Sequence, residues 1–478
     1  MIMKKFLLSI CILSCLLACS KNGKTEWVVT TPGISWQTQD AGQIKFAGSE
    51  KYDAEVDLAN PQQTIDGFGA CFNELGWTSL SLLSEDARND IFRELFEYGK
   101  GANFTICRMP LGANDFSRDW YSYNETDGDI EMENFSIAND KETLIPFIKT
   151  AQKYNPGLKI WASPWSPPAW MKDNKHYACQ PLNTSFFDNI GQNGITPEQI
   201  RREGVNMFIQ EDDYFKAYAL YFKKFIEAYR AEGIDISMVM PQNEFNSCQP
   251  FPSCTWLASG LATFIGKHLG PSMKSLGVDI MFGTMERPNP ALVDTILTDT
   301  EAGKYISGAG FQWAGKKAVG DIRQRYPDLK IYQTEQECGD GKNDWEGCVY
   351  SWKLMQHFLN NGANVYDYWN ISLEEGGLSR WGWSQNSLVT VDKTTGKYKY
   401  TCEYYLMKHI SHYVLPGARF LPVSGEFTDM MAFCNTDGSC VLIIHNANDT
   451  EIKPTIKIGD RAISLSVKPQ SFNTIALR

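Results

Sequence analysis

Histidine is scarce in this chain, six residues among 478, and no two of them share a His-Glu-x-x-His frame. None of the thirteen cysteines has the Cys-x-x-Cys spacing of a zinc clip. These gaps leave no motif for a metal, and no cofactor is expected. Basic runs are also missing, and the net charge is −11, which argues against a nucleic-acid partner. The apolar run Phe6–Leu17 is too short to cross a bilayer as a mature helix.

That run follows Lys4-Lys5 and reads as the core of an export signal rather than as part of the fold. Leu16-Leu17-Ala18-Cys19 resembles a bacterial lipobox, so residues 1–18 are expected to be removed and Cys19 to carry lipid, with 19–24 as a polar tether. The alternative is an ordinary secretory signal with an incidental cysteine. The lipobox reading implies an exported, membrane-anchored lipoprotein of the outer membrane or periplasm, touching membrane only through its anchor; a monomer is expected. Ten cysteines remain after Cys11, Cys15 and Cys19. Export permits disulfides, and the local pairs Cys248/Cys254, Cys338/Cys348 and Cys434/Cys440 are the first candidates.

What the chain does contain is ample core-forming material, 43% hydrophobic with 14 tryptophans. From about residue 64 to 373, strand-like runs alternate with helical stretches. The runs are Ile65–Phe72, Phe104–Leu111, Lys159–Pro164, Ile236–Glu244, Asp279–Met285, Ile306–Trp313, Lys330–Glu335 and Asn364–Leu373. Ser84 followed by Glu85-Asp86 predicts a helix start, with Gly99 closing that helix. Tyr214, Tyr218, Tyr221, Phe222, Phe225, Ile226 and Tyr229 recur at helical spacing, a stripe best explained by core packing. Eight such units favour a (β/α)8 TIM barrel over a doubly wound sheet. Residues 25–62 and 411–478 instead alternate polar and apolar with turn signals such as Asp437-Gly438. The expected organisation is a catalytic barrel at 63–410, with a side β-sandwich whose N-terminal strands (25–62) join the C-terminal segment (411–478).

Two glutamates close apolar runs on separate strands, Glu244 after Met238–Asn243 and Glu335 after Lys330–Thr334. A carboxylate at the C-terminal end of a barrel strand faces the mouth where barrel enzymes work, and two opposed carboxyls are what glycosidic cleavage needs. Asn243 stands beside Glu244, where an amide can bond a sugar 2-hydroxyl; a lone Asn-Glu pair is otherwise common in caps and ion pairs. Glu337 and Asp340 compete with Glu335, since alternation puts 335 and 337 on one face. The strand end favours Glu335 because a nucleophile must be rigidly held.

The chain resembles glycoside hydrolase family 30, the family of lysosomal glucosylceramidase and microbial β-1,6-glucanases. Gly67-Phe68-Gly69-Ala70 with Asn73-Glu74 is similar to the family's first-strand motif. Arg108 with Asp115-Phe116-Ser117 is similar to the second-strand arginine and its loop, and Ala162–Lys172 (ASPWSPPAWMK) to the stretch after strand three. Asn243-Glu244 and Thr334-Glu335 match the acid/base and nucleophile positions, and Asp367-Tyr368-Trp369-Asn370 matches strand eight. The likeness runs from about 60 to 405, with the β flanks in the family's order.

The resemblance implies a retaining glycosidase with Glu244 as acid/base and Glu335 as nucleophile. Arg108 would hold Glu335 ionised, or serve as a structural ion pair, or both. Glu74, Trp165, Asn243, Trp313, Trp369 and Trp381 would contact substrate, with Trp170 and Trp383 either further out or simply packed. One departure stands out: Gln312-Trp313-Ala314 lacks the tyrosine that glucosylceramidase carries after its strand-six tryptophan. The loop Gly376–Leu388 looks more like the β-1,6-glucanase branch. The implied substrate is β-1,6-glucan, with a glucosylceramidase-like or exo-β-glucosidase activity as alternative. A surface glycan-binding lipoprotein without catalysis is the remaining reading, and retention of both glutamates speaks against it.

Overall fold

The computed structural model describes residues 25–47, 51–182 and 193–478; the signal, the lipobox with Cys19, and the tether lie outside them. Eight parallel strands close a barrel: Gly67–Cys71, Ile106–Pro110, Lys159–Ser163, Ile236–Val239, Asp279–Met285, Ile306–Gln312, Lys330–Glu335 and Val365–Asn370. Strand one approaches strand two so closely that a Cβ at Gly69 would sit 1.6 Å from the carbonyl oxygen of Ile106, so only glycine fits there.

The barrel interior is layered by the two-residue period of its strands. Ile106, Trp161, Met238, Tyr332 and Val365 form part of one apolar plug. Two residues further along four of these strands stand Arg108, Ser163, Thr334 and Asp367, all buried. A polar layer therefore lies on an apolar one, on the side of the strand C-termini. Trp161 ties the two together by donating from its indole nitrogen to Asp367 at 2.9 Å.

Ser84 caps the helix Glu85–Phe96 by accepting from the Ala87 amide, and Gly99 follows in the left-handed region at φ 73°. The tyrosine and phenylalanine stripe lies on the helix Asp212–Ala231, where Tyr218, Tyr221, Phe222, Phe225, Ile226 and Tyr229 are all fully buried.

The side domain pairs both chain ends. Glu26–Thr31 runs antiparallel to Ser471–Leu477 in a six-stranded sheet. In the facing five-stranded sheet, Ala54–Val56 sits between Val423–Gly425 and Thr455–Ile458, and Lys45–Ala47 pairs with Arg461–Ser464. Trp27, Val56, Leu442 and Ile475 share the sandwich core. The buried His409 joins this domain to the barrel, its two ring nitrogens each 2.9 Å from a hydroxyl, Thr30 and Thr474.

Several expectations change. Strand four stops at Val239 rather than reaching Glu244. Strand eight stops at Asn370, and Ser372–Glu374 opens a separate three-stranded sheet with Val389–Asp392 and Lys397–Tyr400. Cys348 bonds Cys402, not Cys338: the two helices that begin near these residues bring their Cα atoms to 5.8 Å. The Cys338 thiol instead approaches the Gln336 carbonyl. Cys248 does not join Cys254; it lies against Cys179 and the Arg201 carbonyl. Cys434 and Cys440 face one another in register on adjacent strands.

Candidate active site

Arg108 is the hub of the polar layer. Its side chain is fully buried, and one guanidinium nitrogen donates to Glu335 Oε2 at 2.9 Å and to the Thr334 carbonyl at 3.0 Å. The other donates to Ser163 Oγ at 2.9 Å and Asn243 Oδ1 at 2.7 Å. The guanidinium lies over Trp165 at 4.3 Å and Trp369 at 5.5 Å from the ring centroids. A buried cation needs such partners, because an unpaired one is costly in a low-dielectric interior.

Glu335 ends its strand, as its apolar run requires. Glu244 is reached differently, five residues past the end of strand four and in the left-handed region at φ 48°. Its amide donates to Thr284 Oγ1 at 2.8 Å, and Thr284 in turn donates to Asn243 at 3.0 Å. That clamp from strand five turns Glu244 back over the barrel mouth. Both carboxylates are buried, 4% and 5% exposed.

Gln312 joins them. Its single amide nitrogen donates to Glu244 Oε1 and to Glu335 Oε2, each at 3.1 Å. The two oxygens therefore lie at most twice 3.1 Å, about 6.2 Å, apart. Retaining glycosidases space their carboxyls at about 5–5.5 Å, inverting ones at about 6.5–9.5 Å to admit a water. Trp313 donates its indole N–H to the other oxygen of Glu335 at 2.9 Å, and Gln249 donates to Glu244 Oε2 at 2.8 Å. Ala314 follows Trp313 and offers no side-chain donor, so Gln312 and Trp313 supply those to Glu335.

Electrostatics makes the pair unequal. Burial pushes the Glu244 carboxyl well above its ordinary range, and the charges of Glu335 and then Glu286 push it further. Burial also raises Glu335, but Arg108, the Trp313 N–H and Gln312 pull it back. Glu335 still lies above its ordinary range but is raised less than Glu244, so the two carboxyls are unequal.

The remaining sequence candidates divide. Asn243, Trp165, Trp313 and Trp369 gather around Arg108 and the two glutamates, Trp165 tilted on Trp369 at 5.4 Å. Glu74 does not join them. It is completely buried and spent on Arg118, Asn139 and Thr143, where it anchors the loop after strand two. Trp170 is packed and donates to the Asn124 carbonyl. Trp381 stacks between Trp383 at 6.1 Å and Trp120 at 5.9 Å, with Phe251 against Trp383. These residues come from loops after strands two, four and eight, so the aromatic row stands on the catalytic rim.

The sequence shows Asp115 only as part of its motif, and gives no sign of Gln249, of Gln312 as a donor, or of Trp120. Asp115 was legible as part of its motif; the structure adds a buried Oδ1 without a partner, beside Trp165 and close to Glu335. The other three had no local signal, because each is defined by what it meets across the mouth.

The sequence pattern of the glycosyl hydrolase family 30 TIM-barrel domain matches residues 65–189 and 195–414, and that of the family's beta sandwich domain matches 423–475. The chain belongs to glycosyl hydrolase family 30. It is a glycoside hydrolase, and the retaining mechanism is general to the family. Among relatives of this family 30 enzyme, endo-1,6-beta-D-glucanase neg1 of Aspergillus fumigatus is 27% identical, over 90% of this chain and 88% of that one. The lysosomal acid glucosylceramidase of Mus musculus is 25% identical, over 85% and 79%. The solved endo-beta1,6-glucanase BT3312 superposes with a TM-score of 0.78 at 26% identity, covering 95% of this chain and 98% of that one. SrfJ of Salmonella typhimurium shares the fold, with a TM-score of 0.81 at 22% identity over 95% and 100%.

Proposed function

We propose that this family 30 hydrolase is an endo-β-1,6-glucanase in which Glu244 is the acid/base and Glu335 the nucleophile. The observation that carries the role assignment is the shared Gln312 amide between two carboxyls, of which only Glu335 is ion-paired with Arg108. Glu335, kept ionised by Arg108 and Trp313, attacks the anomeric carbon. Glu244 gives its proton to the departing glycosidic oxygen. The glycosyl–Glu335 ester is then hydrolysed by water that Glu244, now ionised, deprotonates, which regenerates both carboxyls and releases a product of retained configuration. Trp165 and Trp369, both fully buried, pack against the guanidinium of Arg108 and fix it below the two glutamates, while Asn243 offers an amide to the sugar 2-hydroxyl and Asp115 an unsatisfied oxygen to a further hydroxyl.

The substrate assignment rests on the rim. A β-1,6 linkage passes through an exocyclic CH2, so the chain bends sharply after one ring. A closed pocket beside an aromatic platform suits that shape better than a long straight groove. Trp120 and Trp383, half-buried on either side of a Trp381 that is only 3% exposed, supply such a platform, and relatives named as endo-1,6-glucanases lend support. Glucosylceramidase action is the second reading, favoured by the relatives of that name. Measured kcat/KM on soluble β-1,6-glucan, glucosylceramide, xylan and an aryl β-glucoside decides between them. The glucanase reading expects the highest value on β-1,6-glucan; a higher value on glucosylceramide selects the second reading, and no turnover of any substrate selects a purely binding protein. Export as a Cys19-lipidated protein is part of the proposal, tested by fatty-acid labelling that a Cys19→Ser change abolishes.

A further inference from the structure

A cavity of about 350 Å3 opens at the junction of barrel and sandwich, away from the two glutamates. Four elements build it: the sandwich strand carrying Trp36, the helix Glu85–Phe96, the strand Lys397–Tyr400 and the helix Cys402–Ser411. Its size is at the small end of ligand sites, about 300–1,000 Å3, enough for a short segment rather than a long chain.

The lining has two parts. One is aromatic: Tyr400 tilts on Tyr404 at 4.4 Å and meets Tyr398 edge-on at 5.6 Å, while Trp36 faces them from the other domain. Trp36, Tyr398, Tyr400 and Tyr405 are only half-buried, so part of their surface is left to solvent. The other part is polar. Lys408 pairs with Glu94 at 3.1 Å, the Tyr404 hydroxyl donates to the same Glu94 oxygen at 2.7 Å, and Arg93 pairs with Asp90 at 2.7 Å. Two cations and two carboxylates cancel, so nothing here selects an anion such as phosphate or a cationic ligand. Aromatic faces beside donors and acceptors of zero net charge match a neutral polyhydroxylated ring, whose C–H faces stack while its hydroxyls bond. Packing two domains together requires no such hollow.

Its position in the fold strengthens the point. Lys397–Tyr400 belongs to the small sheet that begins at Ser372, two residues after barrel strand eight, and the Trp381 loop is the connection between that sheet's first two strands. We infer that this junction cavity is a second, non-catalytic binding site that holds a neutral glucan segment of the polymer the enzyme is cleaving. The inference rests on the glucanase reading for the identity of the polymer. The site would raise the local concentration of polymer by a second point of attachment without touching the chemistry.

The test uses the full mature chain in the Glu335→Gln background, so that polymer is not consumed. Affinity electrophoresis is run in gels containing soluble β-1,6-glucan, β-1,3-glucan or xylan. Tyr398→Ala, which removes one half-exposed ring, and Asp90→Ala, at an exposed position, should each weaken retardation by at least one glucan about two- to tenfold, the range of a lost aromatic or exposed polar contact. With Glu335 intact, the same two changes should leave kcat/KM on an aryl β-glucoside within about twofold and raise KM on polymer at unchanged kcat, as loss of uniform binding does. Retardation equal to the parent in all three gels, or no retardation of the parent itself, overturns the site. So does a loss matched by equal loss on the aryl glucoside in both variants, which would place the effect in the fold. The glucanase reading fails separately, on hydrolysis rates that favour another substrate while the contrast between parent and variant in the gels persists.

Discussion

Trp313→Phe isolates one interaction of the proposed nucleophile. The indole N–H donates at 2.9 Å to Oε1 of Glu335, whereas Arg108 and Gln312 both address Oε2. Phenylalanine keeps a ring at the position and shares the cost of the left-handed backbone at φ 47°, so that cost cancels. A hydrogen bond to a charged group contributes about 1.5–3 kcal/mol net. The two remaining partners and entering water recover part of it, leaving about 1.5 kcal/mol, roughly tenfold in a rate or equilibrium constant. The lost donor favoured the ionised carboxylate, so its removal raises the proton affinity of Glu335. The acid limb of kcat/KM should therefore move to higher pH, with activity at a fixed acidic pH falling roughly tenfold. The basic limb belongs to Glu244, which must be protonated and is held high by burial and by the charge of Glu335; it should move little. The assay is kcat/KM against pH on an aryl β-glucoside, with Tm as a check on folding. A uniform loss at every pH with both limbs unmoved would refute the argument, since Trp313 would then act on the sugar and not on Glu335.

Glu335→Gln should abolish turnover of every substrate, while Glu244→Ala should keep the first step for activated aryl glucosides and stall at the covalent stage, with azide restoring turnover as a β-glycosyl azide detected by NMR; a β-azide from Glu335→Ala, or an α-azide from Glu244→Ala, would reverse the two roles. Gln249→Ala removes the 2.8 Å donor to Glu244 Oε2, and should lower kcat more on substrates with poor leaving groups than on activated ones, read from kcat against leaving-group pKa. A mature chain shortened to begin at Thr64 loses the strand Glu26–Thr31 and buried Trp27 and Val56 from the sandwich, and should melt several degrees lower by calorimetry; an unchanged Tm would mean the N-terminal strands do not help hold that domain.

The sequence by itself determined the architecture and pointed to the two carboxyls that meet at the barrel mouth. Apolar runs alternating with helical stretches fix eight βα units, because each run can be buried only as an inner strand and each amphipathic stripe only against it. Glu335 was legible for the same reason: it is the first charged residue after Ile331–Thr334, so the strand that buries those residues delivers it to the mouth. Glu244 was legible as a motif but not as geometry. Nothing local shows that strand four ends at Val239 or that a threonine on the next strand turns the glutamate back. Tertiary structure alone decided the pairings: Gln312 between the two carboxyls, Arg118 claiming Glu74, Trp120 meeting Trp381, and Cys402 rather than Cys338 reaching Cys348. The physical reason is that periodicity records which face of an element is buried, while a hydrogen bond or disulfide depends on which distant element closure of the barrel brings within a few ångströms.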